Sequence, residues 1–248
     1  ARWRAGPAEA LIEATPLFDL RWDSGSITPP PGYNFSRAST GTCTDASGQL
    51  VQVAADLPRY DYDPVSHACL GVLLEEQRSN LVRQSGNIAN AVWAKFGAPA
   101  VIANAATAPD GTMTAASVLL SPTAGFYQSN TAAGGSSYTA SIWLRADSPL
   151  TLRQAVTDGV STPTLAPIRV TFSWQRFVLT KAIAATATHA EIQVDGTGGG
   201  GLVYAWGGQM ELGSTASSYI PTASATRAAD RQFLSGQAID AAAGLAVI

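Results

Sequence analysis

From residue 115 to residue 212 the chain is divided into short stretches in which apolar and polar side chains alternate, and the breaks between stretches carry tight-turn residues. Alternation with period two places every second residue on one face of an extended strand, so such stretches read as half-buried strands and not as helices. Tyr138 to Ala146 is the clearest: Tyr138, Ala140, Ile142, Leu144 and Ala146 take one face, and Thr139, Ser141, Trp143 and Arg145 the other. Ala190 to Asp195 repeats the pattern, with Ala190, Ile192 and Val194 inward and Glu191, Gln193 and Asp195 outward. Further strands are expected at Ser117–Leu120, Phe126–Asn130, Leu150–Val156, Arg169–Phe172, Arg176–Thr180 and Leu202–Leu212. Asp45-Ala46-Ser47-Gly48, Pro109-Asp110-Gly111, Gly134-Gly135, Asp158-Gly159 and Asp195-Gly196 supply reversals between and before them. Many short strands joined this way predict an all-β chain forming a sandwich or barrel.

Helical signal is confined to Pro7–Ala14 and Asn87–Phe96, each good for a turn or two. Thr28–Pro31 holds three consecutive prolines and reads as an extended connector after an N-terminal anchor strand, Leu17–Trp22. Boundaries near Ser85 and Pro221 divide the chain into an N-terminal docking segment (1–85), a sandwich (86–222) and a C-terminal extension (223–248). A start at Ala1 and an end inside the apolar stretch Ala241–Ile248 read as part of a longer polypeptide.

Charge limits the function classes. Only 13% of residues are charged and the formal net charge is −3, against roughly 25% in ordinary soluble domains. No stretch concentrates Lys or Arg as phosphate neutralisation requires, so nucleic-acid binding is not expected. No apolar run reaches the roughly 18 residues of a membrane helix, so no membrane insertion is expected. Cys43 and Cys69 fit either two free thiols or one bridge, and neither sits in a metal or redox motif.

Catalytic constellations are missing from the sequence. His67 and His189 lie far apart and there is no GxSxG elbow. The run Gly196–Gly201 is not followed by Lys-Ser/Thr and reads as a flexible hairpin loop. Glu75 and Glu76 are adjacent and point to opposite faces of an extended segment, whereas Asp61 and Asp63 share a turn better suited to oxygen ligation of calcium than to acid–base work. No catalytic residue and no metal site is expected. What stands out is aromatic, amide and charged side chains on polar strand faces. A sugar offers apolar C–H faces ringed by hydroxyls, and a site for one pairs a flat aromatic with hydrogen-bonding partners. Trp143, Arg145, Glu191, Gln193 and Trp206 are therefore the candidate carbohydrate-binding residues, provided that their strands neighbour one another. The alternative is that Trp143 belongs to a second core layer beneath the N-terminal segment or a neighbouring subunit. Trp174 reads as a packing residue at a sheet edge.

Two blocks carry a resemblance. Phe35-Ser36-Arg37-Ala38-Ser39-Thr40-Gly41-Thr42, with Arg59-Tyr60-Asp61-Tyr62-Asp63-Pro64 and Gly71 to Leu81, resembles a module of phage and prophage structural proteins, head fibres and tail-associated proteins among them. Ala108–Thr112, Tyr138–Ala146, Trp174-Gln175-Arg176, Trp206 to Gly213 and Ser218–Thr222 are similar to jelly-roll modules of carbohydrate-binding families 4 and 9. The resemblance implies a jelly-roll β-sandwich behind an irregular N-terminal anchoring segment. It further implies a virion protein of a tailed phage or gene transfer agent: a fibre, spike or decoration protein at the particle surface. Its partners would be capsid, portal or tail proteins and further copies of itself, with trimers common among fibres, and host surface polysaccharide. A purely architectural subunit is the main alternative, and a polysaccharide depolymerase a lesser one. Members with a structural calcium carry paired acids in the last strand; here that stretch reads Trp206-Gly207-Gly208-Gln209, so no cofactor is expected.

Overall fold

The structure is a computed structural model that describes residues 33–222 and 226–234. The expected helix at Pro7–Ala14, the anchor strand Leu17–Trp22, the connector Thr28–Pro31 and the stretch Ala241–Ile248 lie outside the described residues.

An N-terminal block comes first: β1 (Tyr33–Ser36), β2 (Gly41–Thr44), β3 (Leu50–Val53), β4 (Arg59–Tyr62), β5 (Cys69–Leu73) and β6 (Arg78–Ser79). β2–β3 and β4–β5 are antiparallel hairpins. The first reverses at Asp45, whose Oδ1 accepts bonds from Ser47 N and Gln49 N. The sandwich follows, with β7 (Ala94–Phe96), β8 (Ala100–Ala106), β9 (Ala115–Leu120), β10 (Gly125–Thr131), β11 (Ser137–Arg145), β12 (Leu150–Thr157), β13 (Thr164–Val170), β14 (Gln175–Ala182), β15 (His189–Asp195) and β16 (Gly201–Leu212). Sheet I has the order β13-β12-β15-β10-β7 and sheet II the order β14-β11-β16-β9-β8. β17 (Thr226–Arg227) and β18 (Arg231–Leu234) return to pair with β6 and β1. The described residues are all-β in a jelly-roll sandwich, and none of their helices is long and apolar enough to cross a membrane.

The alternation works as the sequence indicates. Tyr138, Ala140, Ile142, Leu144 and Ala146 all lie in the core between the sheets, together with Ala190, Ile192 and Val194. Two expectations are corrected. Asn87–Phe96 forms successive turns, with Asn90 N bonded to Asn87 O and Trp93 N to Asn90 O, and ends in β7; Asn90 Oδ1 accepts from Val92 N, a local bond that competes with helix continuation. The run Gly196–Gly201 is no hairpin loop, because it carries the chain from β15 in sheet I to β16 in sheet II.

At Trp206-Gly207-Gly208-Gln209 the pairing of β16 with β11 shifts register, so that two residues of β16 stand against Ile142. Gly207 has φ +66° and a Cβ there would lie 2.7 Å from the Trp143 ring, while one on Gly208 would lie 2.6 Å from Trp93. The bulge thus seats one tryptophan outside the sheet and another in the core.

The N-terminal block is joined to the returning C-terminal strands by buried charge. Arg37, Arg59 and Arg227 are each no more than 1% exposed. Asp230 pairs with Arg37 Nη1 at 3.0 Å through Oδ1 and with Arg59 through Oδ2, and Glu75 pairs with Arg59 at 2.8 Å and Arg227 at 3.5 Å. Arg37 donates further to the carbonyls of Ser39, Val53, Ala54 and Leu57. Glu75 N donates to Asp230 Oδ2 and Asp230 N to Glu75 O, so backbone and side chains interlock.

Removing one member of such a cluster strands the others in a low-dielectric site. Asp230→Ala is expected to cost about 3–5 kcal/mol in urea unfolding, and a loss below about 1 kcal/mol would show the cluster to be incidental. Gln154 is the opposite case. It points into the core between Leu152 and Val156 and neither end of its amide has a hydrogen-bond partner. Gln154→Met is expected to stabilise the protein by about 1 kcal/mol, since the desolvation cost disappears while the volume stays nearly constant; measured destabilisation would contradict this.

Candidate glycan-binding faces

The five sequence-derived candidates divide between the two sheets, and the condition that their strands be neighbours is not met. β11 and β15 belong to opposite sheets, so Trp143 and Arg145 face away from Glu191 and Gln193.

On the outer face of sheet II, Trp143, Trp206 and Tyr219 form an aromatic cluster, with Trp143 5.8 Å from Trp206 and 5.4 Å from Tyr219 between ring centroids. Leu50 of the N-terminal block packs against it. Trp206 is 3% exposed and its Nε1 donates to Thr114 Oγ1 at 3.0 Å. Its ring is packing surface and is withdrawn from the candidates, because a buried face cannot stack on a ligand. Trp143 is half-buried, a second core layer as the alternative reading supposed, yet part of its surface lines an open cleft. The Arg145 guanidinium lies over Tyr204 at 4.3 Å and Trp174 at 5.7 Å and pairs with Asp147 at 3.2 Å.

The outer face of sheet I is built in rows running across its strands. Phe96, Gly125, Asp195, Arg153 and Pro167 stand in register on successive strands, and so do Ala94, Tyr127, Gln193, Ala155 and Leu165. Glu191 lies in a third row between Ser129 and Thr157. At roughly 4.8 Å between strands, each five-strand row spans about 19 Å. Gly125 leaves room for Phe96 to lie over it: a Cβ there would be 2.3 Å from the ring. The Phe96 and Tyr127 rings, 6.3 Å apart and tilted by 46°, make an aromatic step at one end of the face.

Beside that step Asp195 organises the polar groups. Its Oδ2 accepts from Arg153 Nε and Nη2 at 3.1 and 2.9 Å and from Gln193 Nε2 at 2.8 Å, and its Oδ1 from Thr197 N at 3.0 Å. Burial pushes the Asp195 carboxyl up, but these bonds outweigh it and hold it below the usual carboxylate range. Among the described residues Gln193 Oε1 and Arg153 Nη1 have no partner and stand ready for a ligand. Burial raises the Glu191 carboxyl, with His189 opposing it. Positive Arg153 and Arg169 balance Glu191 and Asp195, so the face is near neutral.

Sequence reasoning named Glu191 and Gln193 and missed Tyr127, Phe96 and Arg153. Tyr127 carried a readable signal, since it alternates outward against the buried Phe126 and Gln128. Phe96 fell in the segment expected to be helical. Of the carboxylates weighed for catalysis or metal binding, Asp61 Oδ1 accepts from Thr44 N and Asp63 Oδ1 from Val65 N and Ser66 N. Among the described residues no group of three or more His, Cys, Asp and Glu side chains converges, and the Trp206–Gln209 bulge offers no carboxylate, so the residues present do not fit a calcium ion there. Cys43 and Cys69 form no disulfide with one another, and burial pushes the Cys43 thiol up to about 11.

No protein-family model and no curated protein sequence matches the chain. Among solved structures it is similar to the enzymatically active domain of bacteriophage CBA120 tailspike protein 4, at 16% identity over 54% of this chain and 21% of that one, TM-score 0.44. A family 4 carbohydrate-binding module matches at 18% identity over 56% of this chain and 96% of that one, TM-score 0.37. The family 22 module and catalytic module of Clostridium thermocellum xylanase 10B, complexed with xylohexaose, match at 14% identity over 57% and 30%, TM-score 0.42. The chain thus spans about a fifth of the tailspike domain and a third of the xylanase chain.

Asp195, Asp158 and Glu75 are all held below their ordinary values. In each, burial raises the carboxyl and hydrogen bonds overcome it, from Ser161 and Ala184 at Asp158 and from Ser218 with the charges of Arg227 and Arg59 at Glu75. A carboxyl depressed in the folded state stabilises the fold above its unfolded value and loses that contribution as pH falls through the folded one. Melting temperature is therefore expected to hold near neutrality and drop steeply below about pH 4, the unfolded values being 3.8 for Asp and 4.5 for Glu. A melting temperature unchanged down to about pH 2 would contradict the assignment.

Proposed function

We propose that the protein is a non-catalytic, glycan-binding display module of a phage-like particle, with the outer face of sheet I as its polysaccharide site. The observation that carries the site is the Phe96–Tyr127 step beside Gln193, Arg153 and Asp195. Stacking wants an apolar ring face, hydroxyls want fixed donors and acceptors, and a near-neutral surface suits an uncharged chain better than a phosphorylated one. The face is open, so a polysaccharide can lie across the strands without presenting an end. The particle location rests on the sequence resemblance of the Arg37, Arg59 and Glu75 segments to phage structural proteins.

No hydrolytic step is part of the reading. A glycosidase acid must keep its proton near neutral pH, whereas Glu75 is held low and is tied to Ser218, Arg59 and Arg227. One observation favours the architectural alternative: Ile102 (65% exposed), Leu119 and Leu202 form an exposed aliphatic cluster on neighbouring strands of sheet II, as a contact between subunits would need.

Affinity electrophoresis through host capsular polysaccharide, with a glycan array to find the sugar, tests the proposal. The intact protein is expected to be retarded, and Tyr127→Ala to weaken binding about tenfold, or about 1.4 kcal/mol, with unchanged melting. An intact protein retarded by none of the polysaccharides would sink the glycan reading and leave the architectural one, for which sedimentation would show a homo-oligomer. Immunogold labelling of particles tests the location.

A further inference from the structure

We infer that the cleft between the N-terminal block and sheet II is a second saccharide site, one that takes a short stretch of an uncharged glycan. The cleft has a volume of about 980 Å³, at the upper end of the range for small-ligand sites. One wall is the Ser47–Leu50 turn with Pro64 and Val65, the other is Ser173–Arg176, and Trp143 and Tyr219 line it between them. Walled by the β2–β3 turn and by the start of β14, it suits a short stretch of glycan, whereas the rows of sheet I run across five strands.

The cleft is pre-formed. Leu50 N donates to Pro109 O at 3.0 Å and Gln49 Nε2 to Asp110 O at 2.9 Å, which clips the β2–β3 hairpin to the loop before β9. Thr42 Oγ1 donates to Tyr219 O at 2.6 Å. Trp174 Nε1 donates to Thr107 O at 3.0 Å, fixing a half-buried ring at the cleft wall. A ligand entering such a site has little ordering cost to meet.

The lining chemistry selects the ligand class. Trp174 and Trp143 offer aromatic surface, and Ser47, Gln49, Ser173 and Gln175 ring it with hydroxyls and amides. The charged groups are already engaged. Arg176 stacks over Trp143 at 4.4 Å and donates to Ser141 Oγ and Ser217 O, and Glu75 is taken by Ser218 and the buried arginines. Asp61 Oδ1 accepts from Thr44 N. Among the described residues Arg176 is the one cation of the lining, set against Asp61 and Glu75, so a phosphate or nucleotide meets no uncommitted positive charge from them. An uncharged polyol with one apolar face fits.

The two sites are separable by their fluorophores. The outer face of sheet I carries no tryptophan in its described rows, whereas Trp143 and Trp174 line the cleft. The full chain is titrated with hexasaccharides of β-1,4-linked glucose, xylose and galactose and with oligosaccharides released from the bound host polysaccharide, reading tryptophan emission. The expected result is a saturable emission change that Trp174→Ala weakens about tenfold or more, and that Ser173→Trp, which fills the mouth, also weakens. Tyr127→Ala is expected to leave it within about twofold. Near-UV circular dichroism confirms that each variant is folded, and Trp174→Phe should restore binding if the ring is a stacking surface. No emission change with any probe at about 10 mM overturns the inference. A change removed by Tyr127→Ala and untouched by Trp174→Ala and Ser173→Trp overturns it too, while upholding the sheet I reading. The reverse pattern upholds the cleft and is silent on sheet I, which the retardation of the intact protein and of Tyr127→Ala decides.

Discussion

Asp230 is the residue on which the N-terminal block depends. Three guanidiniums, Arg37, Arg59 and Arg227, are brought out of water around Asp230 and Glu75, from segments nearly two hundred positions apart in the chain. The short hairpins β2–β3 and β4–β5 could not stand alone, because two-stranded pieces are marginal in water. What holds them is the network of guanidinium bonds to their own carbonyls and to the returning strand. Desolvation makes such a cluster a poor source of net stability, but it makes every alternative arrangement worse, since any other register would bury a charge without its partner. The cluster therefore acts mainly on specificity. It places the β2–β3 turn against the loop before β9 and so creates the cleft wall.

The same cluster explains which parts of the fold were legible. Strands of the sandwich announced themselves because each has one face in the core, and Ile142, Leu144, Ile192 and Val194 repeat at period two. Strand β13 was displaced by several residues, since Leu165 and Pro167 face solvent in place of polar residues and blur the alternation. The N-terminal strands have no such periodicity. They are two to five residues long and are ordered by ion pairs whose partners lie far off in sequence, a relation that no local pattern carries. The Phe35–Thr42 and Arg59–Pro64 segments could be singled out by resemblance, but that Arg37 and Arg59 would share Asp230 could not.

The candidate site was half legible for a related reason. Alternation tells which residues leave the core but not which sheet they join, and the prediction joined Trp143 to Gln193 across what is in fact the thickness of the sandwich. Apart from the β8–β9 and β12–β13 pairs, consecutive strands of this sandwich alternate between the sheets, so residues on the outer faces of β11 and β12, close in sequence, look in opposite directions. The rows on sheet I come from β7, β10, β15, β12 and β13, five strands that are scattered along the chain, and only the register lines up Phe96 with Asp195 and Arg153.

The pairing of β1 with β18 sets Tyr33 against Leu234, so the chain enters and leaves the described structure side by side. Among the described residues Phe96, Tyr127, Arg153 and Gln193 are partly exposed on the outer face of sheet I, while sheet II turns its aromatic cluster toward the N-terminal block. The asymmetry has a physical origin in the bulge at Gly207-Gly208, which lets Trp143 lie flat on sheet II and gives the block an apolar seat. Where the seat is incomplete, between the β2–β3 turn and Trp174, the cleft remains. Two faces of one sandwich thus acquire different geometries from the same strands: an open row of side chains on one, and on the other a recess whose shape is set by a buried charge cluster that reaches it through Glu75.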